Sequence, residues 1–117
     1  MCMKYVILTK KDLIAINQKF AEGYFENESS LDYALDMFKQ NISWTKQLAN
    51  LVRAILVDHV FTDGNKRTAY NVLLSYIEIK EYNIEEKKSL EIIKNIVLKN
   101  TNSIKKIQDM IENAITK

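Results

Sequence analysis

Residues 44–80 read WTKQLANLVRAILVDHVFTDGNKRTAYNVLLSYIEIK. Leu48, Val52 and Ile55 recur at the three- and four-residue spacing that gathers side chains on one helix face, and Ala69, Val72, Leu73, Tyr76 and Ile77 do the same further on. The first stripe extends one more turn to His59, so an apolar face ends in a polar residue. Phe61-Thr62-Asp63-Gly64 breaks the pattern, and the second helix is expected to run from there to about Lys80. Two amphipathic helices meeting at a glycine-bearing junction point to a helical bundle.

Outward from this pair the same grammar repeats. Thr9 with Asp12 three residues on reads as a helix start, Leu13, Ile16 and Phe20 follow at helical spacing, and Gly23 supplies a stop, giving a helix over Lys10 to Glu22. Tyr5 to Leu8 before it is a strand or an extended lead-in. The segment from Gly23 through Tyr24 and Phe25 to Ser29 and Ser30 has no periodicity and reads as a loop. Ser29 with Asp32 opens the next helix, whose apolar face is Leu31, Ala34, Leu35 and Phe38, and a break at 41–43 precedes Trp44. Asn83 with Glu86 caps a fifth helix carrying Leu90, Ile93 and Val97. Thr101-Asn102-Ser103 starts a sixth with Ile104, Ile107, Ile111 and Ala114. The expectation is one all-α domain over residues 1–117, six helices with short joints.

Composition agrees. The 117 residues include no proline and two glycines, and 47% are hydrophobic. Sandwiches and barrels, which need many tight turns, are disfavoured. The net charge is +2, with nine basic against nine acidic residues over 1–79 and eight against six over 80–117. Neither part is a polycationic arm, and a nucleic-acid partner is not favoured. One cysteine, Cys2, and one histidine exclude an internal disulfide and a Cys/His zinc site. With no apolar run of membrane-spanning length and no signal-peptide core before Thr9-Lys10-Lys11-Asp12, a cytoplasmic protein without a membrane partner is expected.

The chemistry concentrates in His59-Val60-Phe61-Thr62-Asp63-Gly64-Asn65-Lys66-Arg67. Beyond Gly64 the first N–H groups of a helix lack intrahelical acceptors and lie at the positive dipole end, a natural seat for phosphate. Lys66 and Arg67 on that first turn oppose the dipole, a cost that an anion among them offsets. Asp63 is a lone carboxylate of the kind that holds magnesium when nucleotide phosphates and water complete the shell. His59 carries an imidazole suited to accept a proton from a hydroxyl near neutral pH. Taken singly, a histidine ending an apolar stripe is more often a core or capping residue, Asp63-Gly64 an ordinary turn, and Lys66-Arg67 a solvated pair. Their coincidence within nine residues favours transfer of a phosphate-containing group from a nucleotide to a hydroxyl.

The pattern His-x-Phe-x-Asp-Gly-Asn-Lys-Arg, followed by Thr68-Ala69, resembles the signature of the Fic/Doc family in its death-on-curing (Doc) form. Ser30-Leu31-Asp32-Tyr33-Ala34-Leu35 is similar to the family segment after its flap, and Ile77 to Tyr82 to the end of its post-motif helix. The resemblance implies a six-helix Fic/Doc-like bundle with a short flap loop or hairpin. By position, His59 is the general base, Asp63 holds Mg2+, Gly64, Asn65, Lys66 and Arg67 cradle the phosphates of ATP or another nucleoside triphosphate, and Phe61 anchors the motif. The flap residues Gly23, Tyr24, Phe25, Ser29 and Ser30 dock a target segment by strand addition.

Departures separate the branches. AMP-transferring members usually have glycine where Lys66 stands and a second arginine where this chain has Tyr70. Their absence favours the Doc-like reaction, transfer of a phosphoryl group to a Ser or Thr hydroxyl of a protein such as a translation elongation factor, over protein adenylylation. Val60 replaces a common proline, and the flap lacks an Arg-Asp pair. No Ser/Thr-x-x-x-Glu-Gly/Asn inhibitory string occurs, so a toxin of this kind implies a separate small antitoxin that folds on binding. The alternative from another class is a catalytically quiet helical module that binds a nucleotide or a partner.

Overall fold

The chain enters its first helix through a capping box. In the computed structural model, which describes residues 8–40 and 42–117, the Thr9 hydroxyl accepts from the Asp12 N–H at 3.2 Å and the Asp12 carboxylate accepts from the Thr9 N–H at 3.0 Å. The apolar run Tyr5 to Leu8 lies outside the described residues except for Leu8, which is buried. Helix α1 (Lys10–Asn17) stops five residues earlier than its periodicity suggests. Residues 18–21 leave it as tight turns, with the Phe20 and Ala21 N–H groups both donating to the Asn17 carbonyl at 2.9 and 2.8 Å. Phe20 is thereby lifted out of the core stripe to a half-exposed position.

Helix α2 (Glu28–Asp36) is capped by Asn27, whose side-chain oxygen accepts from the Ser30 N–H; the expected Ser29–Asp32 cap is displaced by this earlier start. Leu31 and Ala34 are fully buried beneath it, and a single 3-10 turn (Met37–Lys39) ends it. The side chain of Phe38 is outside the described set. Lys10 ties α1 to α2, reaching Asp32 at 2.6 Å and Glu28 at 2.7 Å, and these carboxylates, Asp32 foremost, raise its pKa.

Helix α3 (Trp44–Leu56) is the centre of the fold. Nine of its residues are buried, because α2, α4 and α6 all pack on it, which is why it is apolar well beyond one stripe. Polar groups tie it to α6: the Thr45 hydroxyl donates to Glu112 at 2.6 Å, and the Gln108 amide reaches Thr45 and Glu112, both at 3.1 Å. Helix α4 (Asn65–Ile79) follows the junction and buries Ala69, Val72, Leu73, Tyr76 and Ile77 as expected. The Tyr76 ring stacks on Trp44, its hydroxyl donates to Gln47 at 2.8 Å, and burial pushes its pKa up to about 12.

Helices α5 (Glu86–Lys99) and α6 (Ile104–Ala114) close the bundle. The expected Asn83 cap of α5 is corrected: Asn83–Ile84 forms a short strand, β1, antiparallel to β2 (Ile115–Thr116), and the helix begins after Glu85. The inward face of α5 is Ile92, Ile93 and Ile96, whereas Leu90 and Val97, expected in the core, are exposed. The described residues make one all-α unit with this two-residue pairing as its only sheet, and no helix among them is long and apolar enough to cross a membrane. Among the described residues, positive φ occurs at Gly23, Gly64 and three non-glycine residues, His59, Glu81 and Asn100. Two of these are helix exits, where the left-handed residue ends the coil. The third is the histidine singled out above.

Candidate functional site

His59 does not continue the α3 stripe. The helix stops at Leu56, the N–H groups of Val57 and Asp58 both return to the Arg53 carbonyl at 2.8 and 3.3 Å, and His59 then takes φ 55° with its side chain exposed. The sharp exit swings the chain away from the core, so that Val60 and Phe61 turn back in and are buried while the imidazole faces solvent. Among the described residues no protein group holds the imidazole.

From Val60 the chain runs extended beside the flap. The Glu26 and Asn27 N–H groups donate to the Val60 carbonyl at 2.7 and 3.0 Å, and the Thr62 N–H donates to the Tyr24 carbonyl at 3.0 Å. Phe25 and Phe61 therefore face one another across an antiparallel bridge with their rings stacked at 5.3 Å. The flap is a loop zipped to the motif rather than a separate hairpin. Tyr24 projects from it, 65% exposed. Ser29 and Ser30 lie in the first turn of α2, where their hydroxyls bond Asn27 and Asp58 at 3.1 and 2.8 Å.

The entry to α4 is locked in the same way. The side-chain amide of Asn65 clasps the backbone of Phe61, accepting from its N–H at 3.0 Å and donating to its carbonyl at 2.8 Å. Asn65 thus shapes the loop with its side chain and offers a ligand only its main-chain N–H. Gly64 sits at φ 74°, and a β-carbon there would come within 3.2 Å of Ala21 Cβ and Asn17 Nδ2. Both the conformation and the close passage of the 17–21 turn select glycine. The first α4 N–H with a helical acceptor is that of Thr68, bonded to the Gly64 carbonyl at 3.0 Å, so those of Asn65, Lys66 and Arg67 are open at the dipole's positive end.

These groups line one cleft of about 630 Å3. His59, Asp63, Gly64, Asn65, Lys66 and Arg67 all border it. Lys66 and Arg67 are exposed and form no ion pair among the described residues, and Arg67 lies over the Phe20 ring at 5.8 Å. The cleft can hold an anion between two cations and a helix N-terminus, with an imidazole and a carboxylate on the same wall. An apolar groove of about 550 Å3 adjoins it, sharing Phe20, Lys66, Arg67 and Val97 and continuing over Tyr70 and Leu98. The exposed apolar residues of α5 thus flank the cationic corner.

Asp63 is the one carboxylate among the residues that line the cleft. One carboxylate oxygen accepts from the Gly64 N–H at 2.8 Å, and the other has no protein partner among the described residues. No cluster of three His, Cys, Asp or Glu side chains exists among those residues. A single hard oxygen suits an ion whose remaining ligands are phosphate and water, and does not suit a protein-built cage.

Asn17 and Phe20 fall within the span expected for the first helix, yet Phe20 lines the cleft and Asn17 braces its wall. Asn17, fully buried, accepts from the Gly23 N–H at 2.8 Å and donates to the Asp63 carbonyl at 2.9 Å and the Thr68 hydroxyl at 3.0 Å. It joins the flap hinge, the carboxylate loop and α4. A polar residue at a stripe position is the signal that marks it. No protein-family model matches this chain, and the curated proteins contain no match to it.

Proposed function

We propose that the chain is a Doc-like enzyme of the Fic/Doc family, transferring the γ-phosphoryl group of a nucleoside triphosphate to a Ser or Thr hydroxyl of a protein. The observation that carries this reading is the gathering of His59, Asp63, the open α4 N–H groups, Lys66 and Arg67 on the wall of one cleft. In it the N–H groups of Asn65, Lys66 and Arg67 bind phosphate oxygens, the two cations neutralise charge that spreads over them in transfer, and the His59 imidazole takes the proton of the attacking hydroxyl. Asp63 would hold a magnesium ion, which would offset the charge of the phosphates. The free edge of the flap presents the target segment beside His59.

Tyr70 supports phosphoryl over AMP transfer. It stands where an AMP-transferring member has a second phosphate-binding arginine, and it lines the apolar groove rather than adding charge to the cleft. As a toxin, the enzyme acts in the cytoplasm on a translation factor and is restrained by a small antitoxin.

The test is transfer of label to protein in a cell extract with magnesium present. Label from the γ-phosphate supports the proposal, label from the α-phosphate replaces it with adenylylation, and nucleotide binding without either favours a quiet binding module. His59→Ala abolishes transfer while nucleotide still binds, and Arg67→Ala weakens nucleotide binding. Activity retained in His59→Ala removes the imidazole from the base role.

A further inference from the structure

A base must be held still, yet the imidazole of His59 has no protein partner among the described residues and its backbone is in a region that costs a non-glycine residue about 1 kcal/mol or more. Such a conformation persists only where the neighbours determine it, and here both neighbours are gripped by one element. On the N-terminal side, the Asp58 carboxylate accepts from the Ser30 hydroxyl at 2.8 Å and the Asp58 carbonyl accepts from the Asn27 amide at 3.2 Å. On the C-terminal side, the Val60 carbonyl accepts from the N–H groups of Glu26 and Asn27. Asn27 takes part on both sides while its side-chain oxygen caps α2.

We propose that Asn27, Ser30 and Asp58 are positioning residues that hold His59 in its left-handed backbone and set its imidazole in the cleft, so that the base takes its place from the N-terminus of α2. The inference rests on the reading of His59 as the base and adds how that base is oriented. The Ser30–Asp58 bond is the side-chain half of the grip, and being charge-assisted it is the stronger half. Because the flap enters α2 at Asn27, the segment that docks a target and the residue that deprotonates it are one mechanical unit. A target strand paired to the flap is placed against the imidazole by the same bonds that place the imidazole.

The chain has one histidine, so its imidazole Cε1–H signal in a 1H–13C spectrum belongs to His59 alone. Ser30→Ala and Asp58→Ala are each expected to move that signal, and the double variant to move it no further than the larger single displacement, since each change breaks the same link. Ser30→Thr, which keeps the hydroxyl, returns it towards the wild-type position. In the transfer assay, Ser30→Ala lowers turnover on the order of tenfold with the half-saturating nucleotide concentration unchanged. Where Asp58→Ala does not fold, Asp58→Asn keeps an acceptor for Ser30 without its charge and gives a smaller displacement. A His59 signal that stays in place in folded Ser30→Ala overturns the proposal, as does a loss of turnover that Ser30→Thr fails to rescue. If the wild-type chain transfers no label, the catalytic reading fails, and the displacement of the His59 signal still decides the grip.

Discussion

Asn17→Ala should be among the most damaging single substitutions in the molecule. The side chain is fully buried and makes three hydrogen bonds, to the Gly23 N–H, the Asp63 carbonyl and the Thr68 hydroxyl. At about 1 kcal/mol net for each bond, their loss costs about 3 kcal/mol, and the stranded Gly23 N–H and Asp63 carbonyl keep the effect from being smaller. Chains of this size lose roughly 2 kcal/mol of stability per molar urea, so the unfolding midpoint is expected to fall by about 1.5 M. Hydrogen exchange locates the damage: the Gly23 amide loses protection while that of Ile96, in the α5 core, keeps its protection against local opening. A midpoint within about 0.5 M of wild type would refute the assignment of Asn17 as the residue joining flap, loop and α4.

The other expectations follow from the same backbone. Gly64→Ala puts a β-carbon 3.2 Å from Ala21 Cβ at φ 74°, and should cost about 1–2 kcal/mol in urea unfolding and weaken nucleotide binding measured calorimetrically; a variant as stable and as tight as wild type contradicts the close passage. His59→Gly removes the left-handed strain, so thermal unfolding should show a gain of up to about 1 kcal/mol while transfer disappears, and a clear destabilisation would show that His59 is not strained. Tyr76 adds an alkaline dependence. Its raised pKa means that the unfolded chain ionises first, near pH ~10, so its contribution is complete below that pH and drains away up to about 12, a loss on the order of 2 kcal/mol. Tyr76→Phe should flatten the fall in urea midpoint over that window, and an unchanged slope would assign the loss to other groups.

How much of this was legible in the sequence depended on whether one side chain or two had to be known. Much of the cores of α3, α4 and α6 could be read from single residues: the apolar stripes named for them are buried except for half-buried Ile104, although α3 buries more than its stripe. Helix boundaries resisted where a tertiary contact outbid a local one. Phe20 continues the α1 stripe, but the pull of Gly23, Asp63 and Thr68 on Asn17 ends the helix at that asparagine. Asn83 has the chemistry of a cap, but Thr116 lies opposite it and makes it a strand residue instead. On α5 the sequence offers Leu90, Ile92, Ile93, Ile96 and Val97, enough apolar residues for two overlapping faces. Only packing chooses Ile92 and Ile96 for the core, leaving Leu90 and Val97 on the groove.

The site follows the same division, with a consequence for its chemistry. The residues of the proposed site lie within His59 to Arg67, and their types and spacing name them. The residues that hold them are scattered over 17–30 and look ordinary: an asparagine in a helical stripe, another before a helix, a serine in a first turn. Each acts on the motif's backbone or a neighbouring side chain across more than 25 positions, the Asn27–Asp58 bond spanning 31 and the Asn17–Asp63 bond 46. The motif's own Asn65 is the exception that explains the pattern. It sits among the residues that line the cleft yet turns its amide on Phe61, so a residue whose place in the motif suggests binding serves with its side chain as a brace. Substitutions at Asn17, Asn27 and Ser30 therefore belong with those of the motif in any test of the proposed activity. They act on the geometry from which the imidazole, the carboxylate and the open N–H groups face the cleft, and not on the groups themselves.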